Sequence, residues 1–398
     1  MDFEPSKSTQ AILDKIELFL NDELRPVESQ YLTSDFKEII PILKKKRQLV
    51  KKLGLWGPNL PKELGGMGLS LLDHGLVSEV LGTSPLGHYV FGCQAPDAGN
   101  IEILHKFGNA EQKSQYLKPL ADGDIRSCFS MTERDTAGSN PLLLKTTAIK
   151  DGDDFVINGE KWFSTSADGS AFSIVMAVTN PNTSPARGSS MIIVPMDTPG
   201  LKLVRNIPVM GHAGGDYDSH GQIEYNDCRV PRKNLLGKEG LGFLLAQERL
   251  GPGRIHHCMR WLGICRRTFE VMCERAASRK ISENEILGDK QIVQEWIADS
   301  AAEIHAARML VLHTAWLIDK LGVSKVHENI GMIKYFTANV MQKVIDRAVQ
   351  TLGGLGITDD TIISHYYRHE RAARIYDGPD EVHKVSVAKK YLKKYKKK

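Results

Sequence analysis

Apolar residues recur at helical spacing through Ile12, Ile16, Leu18 and Leu20, and again through Ile39, Ile42, Leu43 and Leu49, so residues 8–125 read as mostly helical. The stretch from Gly54 to Gly68, with Gly57-Pro58 and Gly65-Gly66, is a turn-rich connector. The rhythm changes near residue 127. Phe155 to Phe163 reads as two strands around an Asn158-Gly159 hairpin turn. Ser173–Val178 and Ser190–Pro195 are short apolar runs consistent with buried strands. From about residue 239 long helical stretches return: Gly242 to Lys280, which Gly251-Pro252-Gly253 must start or kink, then Lys290 to Leu321, Ser324 to Leu352, and a last one over roughly residues 380–395. The pattern predicts an α+β fold, mostly α. A helical domain (1–126) precedes a central β domain (127–236), and a helical bundle (237–398) follows. No repeat of solenoid period is visible.

The chain has 398 residues, enough for two or three domains. Hydrophobic residues at 41% and charged residues at 25% are typical of soluble globular proteins. No apolar run approaches the roughly 18–20 residues of a membrane span. Met1-Asp2-Phe3-Glu4-Pro5 lacks the basic and apolar regions of a secretory signal, and six scattered cysteines form no CxxC pair. These point to reduced thiols in an intracellular protein, cytoplasmic or in an organelle matrix. The net charge of +4 gathers in the tail after Lys389, with no second basic stripe, so nucleic acid and anionic membrane are poor readings. A weakly basic surface also suits a phosphate-rich ligand such as coenzyme A.

Several constellations could carry chemistry. Phe129 to Asn140 takes a strand into a loop of hydroxyls and small residues, able to bind a polar ring edge or a pyrophosphate, or to be an ordinary polar loop. Trp162-Phe163-Ser164-Thr165 offers aromatics and hydroxyls to a flavin, or caps a strand with core aromatics. Gly353-Gly354-Leu355-Gly356 follows a helix, not a strand, and lacks the Rossmann spacing; it fits a helix C-terminus that something approaches closely. His256-His257-Cys258 diverge around a helix and make a poor metal set, and no metal is expected. Asp377 lies between Tyr376 and Gly378 at the mouth of the last helix.

Taken in order, these pieces resemble the acyl-CoA dehydrogenase family over essentially the whole chain. Phe107-Gly108-Asn109 to Pro119-Leu120 is similar to the family's approach to its β domain. Met131-Thr132-Glu133 with Ala137-Gly138-Ser139 resembles its flavin loop. Gly159-Glu160-Lys161-Trp162-Phe163 resembles its "GxKxW" strand, with Phe163 where Trp is usual. Val230-Pro231 with Asn234 to Gly237 and Gly240 to Phe243 resembles the passage into the last bundle, and Gln350 to Gly356 its second flavin segment. Arg249 to Arg260 and Asp377 to His383 resemble the branch containing family members ten and eleven, in which the Met131–Asn140 loop is also one residue longer. Most members place Glu where Asp377 stands and Thr where Pro379 stands. A flavin-contacting Phe is replaced by Ser282, and members with their base on the helix carry it at the position of Gly253.

The resemblance implies a central domain that is β-barrel-like and a C-terminal four-helix bundle. It implies FAD-dependent α,β-dehydrogenation of an acyl-CoA thioester, as in fatty acid β-oxidation. Asp377 would abstract the α-proton, with a pKa raised by a dry acyl pocket, as hydride passes to flavin N5. Phe129, Met131, Thr132, Gly138, Ser139, Phe163 and Thr165 would hold FAD from one subunit, and Arg279, Gln350 and Gly354 from a neighbour in a homodimer or homotetramer. Arg254, Tyr376 and Gly378 would meet the substrate. An electron-transfer flavoprotein is the expected acceptor. Three further readings stand beside this one: 4-phosphoryloxyacyl-CoA substrates, a flavin oxidase resembling nitroalkane oxidases, and a non-catalytic flavin- or CoA-binding protein.

Overall fold

The computed structural model describes residues 3–396. Helices occupy the two ends of the sequence and one mixed sheet lies between them. The longer N-terminal helices are α1 (Lys7–Phe19), α2 (Arg25–Thr33), α3 (Phe36–Lys52), α4 (Leu71–Leu81) and α5 (Asp97–Phe107). α1 begins where the Ser6 side chain accepts the Thr9 N–H, and α3 where Asp35 accepts the Lys37 N–H. Each cap satisfies a donor that the first turn leaves without a partner. Ile16, Ile39 and Leu43 are buried as the periodicity predicts, whereas Leu18 and Leu49 face outward.

The strands are β1 (Ser127–Ser130), β2 (Thr147–Asp151), β3 (Asp154–Thr165), β4 (Phe172–Val178), β5 (Ser189–Pro195), β6 (Leu201–Asn206), β7 (His220–Pro231) and β8 (Leu235–Leu236). Their order is β6-β7-β3-β2-β4-β5-β8, with β1 parallel to β4. β6 and β8 do not pair with each other, so among the described residues the sheet stays open rather than closing as a barrel. The buried runs of β4 and β5 lie antiparallel, from Phe172 opposite Pro195 to Val178 opposite Ser189.

The hairpin expected at Asn158-Gly159 is absent. β3 runs unbroken through both residues, and the turn lies earlier, between Asp151 and Asp154. At Gly159, which has φ +145°, the pairing with β7 shifts register, and a Cβ would stand 2.6 Å from the Thr146 hydroxyl. The glycine therefore serves a bulge and a close approach of β2 rather than a turn. Asn158 is held across the sheet: its side-chain Oδ1 accepts the Asp227 N–H at 2.8 Å.

The C-terminal helices are α6 (Gly242–Ser278), α7 (Gln291–Leu321), α8 (His327–Leu352), α9 (Ile362–Glu370) and α10 (Asp380–Tyr395). α6 begins at Gly242 and carries Pro252 in its interior, so the helix does not start at the proline. Trp261, Ile255, Val311, Met341 and Val344 form part of one buried core among α6, α7 and α8. The six cysteines are unpaired, and all but Cys273 are buried. No described helix is long and apolar enough to cross a membrane.

One polar face of α5 ties the three regions together. Asp97 accepts the Ser127 N–H at 2.8 Å and the Arg126 Nε–H at 3.2 Å, and Arg126 also pairs with Asp216. Asn100 donates to the Ser127 hydroxyl at 2.9 Å and accepts from Arg249 of α6 at 2.9 Å. Removing one partner of such a buried pair leaves a charge uncompensated. Asp97→Ala should therefore lower unfolding stability by about 3–5 kcal/mol in denaturant melts. A loss below about 1 kcal/mol would show that Asp216 alone satisfies Arg126.

Candidate active site

The loop between α9 and α10 presents Asp377 to α6. Asp377 has φ +53° and Gly378 +99°, both in the left-handed region. A Cβ on Gly378 would lie 2.8 Å from His383 Nε2, so position 378 needs glycine for space as well as conformation. Three side chains fix the main chain here. Arg254 Nε donates to the Asp377 carbonyl at 2.9 Å, His383 Nε2 lies 3.1 Å from the same oxygen, and Lys334 Nζ donates to the Gly378 carbonyl at 2.6 Å. Asp380, in the first turn of α10, accepts from Arg374 and Asn339, each at 2.8 Å.

With its carbonyl tied down, Asp377 turns its carboxylate toward Gly253 and His257 of α6. A Cβ on Gly253 would stand 3.6 Å from Oδ2, and His257 Nε2 lies 3.3 Å from the same oxygen. The side chain is 18% exposed. Burial alone pushes its pKa up, as expected from sequence. The His257 hydrogen bond and charge, with Arg249 and Arg254, outweigh burial and bring it down to about 2. The raised pKa expected of this base is therefore overturned by a cationic surround. Lys334, fully buried, is brought down to about 8 by desolvation.

Tyr376 packs at 4.9 Å from the His257 ring, and its hydroxyl lies 3.4 Å from Arg260. Arg260 grips both oxygens of Glu370, at 2.5 and 2.9 Å, and Trp261 Nε1 donates to Glu370 at 3.2 Å. That contact holds the Glu370 carboxyl below its usual range despite burial.

The second group of expected residues clusters around a buried ion pair. Lys161, fully enclosed, donates to Glu133 and to the Met131 carbonyl, each at 3.0 Å. Glu133 also accepts the N–H groups of Lys145 and Thr146 at 2.8 and 2.9 Å. These bonds shape the loop that carries Met131 and Thr132. Thr132 bonds the Trp162 backbone in both directions, its carbonyl accepting the Trp162 N–H at 2.8 Å and its hydroxyl donating to the Trp162 carbonyl. Phe163 has φ +60° and an exposed ring, and the Thr165 hydroxyl lies 2.9 Å from His220 Nδ1. Gly138 and Ser139 are exposed on the loop. Phe129 is joined to the Asp377 side through Arg249, whose guanidinium lies 4.0 Å from its ring centre.

Arg279, Gln350 and Gly354 are not part of either cluster. They are exposed, Arg279 at the end of α6 and the other two around the end of α8, where a Cβ on Gly353 or Gly354 would meet nothing within 4 Å. Ser282 sits in an exposed turn, its N–H 3.4 Å from the Glu285 carbonyl. Sequence reasoning missed five residues. Arg249 and His257 lay inside a stretch already singled out for resemblance, and Glu133–Lys161 inside two others. Lys334 lay in a helix with no motif. His256 and His257 do diverge, His256 reaching Glu102 at 3.3 Å.

Family models match along the chain: acyl-CoA dehydrogenase, N-terminal domain, over 6–124; middle domain, over 128–228; and C-terminal domain, over 240–392. Probable acyl-CoA dehydrogenase FadE2 of Mycobacterium tuberculosis is 40% identical, covering 100% of this chain and 98% of that protein. Acyl-CoA dehydrogenase family member 11 of Homo sapiens is 38% identical over 97% of this chain, which spans only 50% of its length. Butyryl-CoA dehydrogenase from Megasphaera elsdenii superposes with a TM-score of 0.84 at 25% identity, covering 98% of this chain and 100% of that one. These matches define a family of CH–CH oxidoreductases whose cofactor is FAD. The chain belongs to the acyl-CoA dehydrogenase family, flavoproteins of fatty acid β-oxidation.

The residues present fit such a cofactor. The bare Phe163 ring can stack on a planar system, and the Thr165 hydroxyl and the loop pinned by Glu133 can meet its polar edge. Lys161→Met should leave Glu133 buried without its cation, at a cost of about 3–5 kcal/mol shared between stability and the loop. The purified variant should retain less FAD, read from the flavin absorbance per protein. Full flavin content with an unchanged melting temperature would refute a shaping role for the pair.

Proposed function

We propose that this chain catalyses α,β-dehydrogenation of an acyl-CoA thioester with Asp377 as the base. The observation that carries this reading is the aim of the Asp377 carboxylate. It faces Gly253, a helix position that carries no group of its own, while its main chain is held by Arg254, His383 and Lys334. FAD, when bound, supplies the acceptor for the hydride that leaves the β-carbon.

The chain's own residues then have separable tasks. Asp377 removes the α-proton. Among the described residues its N–H meets no main-chain acceptor, so it is free to donate to the thioester carbonyl and stabilise the charge that develops there. Arg254, Tyr376 and Gly378 line the approach. Phe129, Met131, Thr132, Gly138, Ser139, Phe163 and Thr165 hold the cofactor. Arg279, Gln350 and Gly354, turned outward here, reach the cofactor of a neighbouring subunit in a homodimer or homotetramer. Asp is one methylene shorter than Glu, and misplacement by about 1 Å can cost about 10²-fold in rate. The left-handed turn at Asp377 and its pinned carbonyl bring the main chain to the substrate and offset that shortness. An electron-transfer flavoprotein is the proposed electron acceptor.

A second reading concerns the substrate. Arg249, Arg254 and Lys334 make the surroundings of Asp377 strongly cationic, which suits an acyl chain bearing an anion such as a 4-phosphoryloxy group. Phosphate release during turnover would distinguish it from a plain acyl chain.

The test is anaerobic bleaching of the bound flavin by acyl-CoAs of graded length. Asp377→Asn should abolish bleaching, a loss above about 10³-fold, while FAD content stays unchanged. Bleaching at the wild-type rate would remove Asp377 from the mechanism. Peroxide formed without any acyl-CoA would favour an oxidase instead.

A further inference from the structure

We infer that His257 is a positioning residue that shares a proton with Asp377, an inference resting on the reading of Asp377 as the base. His257 lies one turn beyond Gly253 on α6, so the two positions share a face. Gly253 leaves one side of the carboxylate uncovered, and His257 Nε2 closes on Oδ2 from the next turn at 3.3 Å. The neighbouring His256 turns instead to Glu102 and stands 5.0 Å from the His74 ring.

The imidazole is held on two sides. Trp261 stacks on it at 5.8 Å with 18° between planes, and Tyr376 leans on it at 4.9 Å. Both supports are themselves fixed. Glu370 accepts the Trp261 N–H, and Arg260 grips Glu370 with two bonds while reaching the Tyr376 hydroxyl. A ring braced this way and aimed at one oxygen of a base is more than core filling. No part of the dehydrogenation described above uses it.

The proton accounting is direct. The α-C–H electron pair enters the forming double bond and its proton goes to Asp377. From Oδ2 the proton passes to Nε2 of the His257 tautomer protonated on Nδ1, leaving a carboxylate paired with an imidazolium. The oxidant is the FAD of the reaction proposed above. His257 returns the proton to solvent once product leaves, and its side chain is 20% exposed for that exchange.

An imidazolium already in place would stabilise the carboxylate and weaken it as a base, so proton removal draws on the uncharged ring. The charged and titratable groups facing the pair are Arg249 and Arg254 on α6, Lys334 on α8, Glu370 at the end of α9, Tyr376 and His383 beside the loop, and His88 from the N-terminal region. The arginines stay charged throughout. Burial lowers the basicity of His383 and His88.

Exchange of the acyl-CoA α-hydrogen with deuterated solvent isolates this step. It is followed by mass spectrometry on FAD-loaded protein with its flavin reduced beforehand by dithionite, so that oxidation does not compete. The acyl-CoA is the one that bleaches the oxidised flavin fastest. His257→Gln, which keeps a donor but cannot take up the proton, should exchange about 10²-fold more slowly than wild type, with similar acyl-CoA affinity. His257→Gln exchanging at the wild-type rate overturns the inference. Asp377→Asn run alongside separates the two readings. Wild-type exchange in that variant removes the base itself, whereas silence in it beside an unaltered His257→Gln removes only the pair.

Discussion

The arrangement depends on a small polar face of one helix. Asp97 and Asn100 of α5 bond β1 on one side, and through Asn100 reach Arg249 of α6 on the other. Helices ordinarily meet sheets through apolar stripes, which tolerate sliding. Directional bonds to a buried amide and carboxylate do not. The consequence is a fixed distance between the strand that leads into the Met131–Asn140 loop and the helix that faces Asp377. Arg249 lies on this line, its guanidinium over Phe129 and its charge felt at Asp377.

The same device recurs at both halves of the site. Lys161 and Glu133 are buried to shape one loop, and Lys334 is buried to hold a carbonyl of the other. Burying charge is costly, and buried pairs of this kind rarely add stability over apolar side chains. Their return here is geometry, since each cation fixes main-chain oxygens next to a residue with a left-handed or exposed conformation, Asp377 or Phe163. Asp377 itself shows the competition of terms. Its enclosure favours the neutral acid, and the cations around it win.

Much of the fold was legible because long helices repeat one signal many times. α7 and α8 run close to the bounds that periodicity predicts, and β4 and β5 match the apolar runs within a residue. Asn158-Gly159 misled because the same dipeptide that makes a hairpin turn also suits a bulge. What decides between them is Thr146, the residue just before β2, whose approach no local window contains. The site divides in the same way. Asp377, Arg254 and the flavin segments stood out by motif. The charge state of Asp377 did not, because it depends on Arg249 and His257, more than a hundred residues away in sequence. Lys334 gave no signal at all, since a lysine on a helix is ordinarily a solvated one.

Pro252 has a mechanical consequence. α6 passes through it without ending, yet a proline cannot donate to the carbonyl one turn earlier, that of Glu248. One rung is therefore missing from the helix directly before Gly253 and Arg254. The segment that faces the base is thus softer in bending than the rest of α6, which Trp261 and the residues after it anchor in the bundle core. A wall that yields on one side of a braced carboxylate would let the space in front of Asp377 change its width while Asp377 keeps its place.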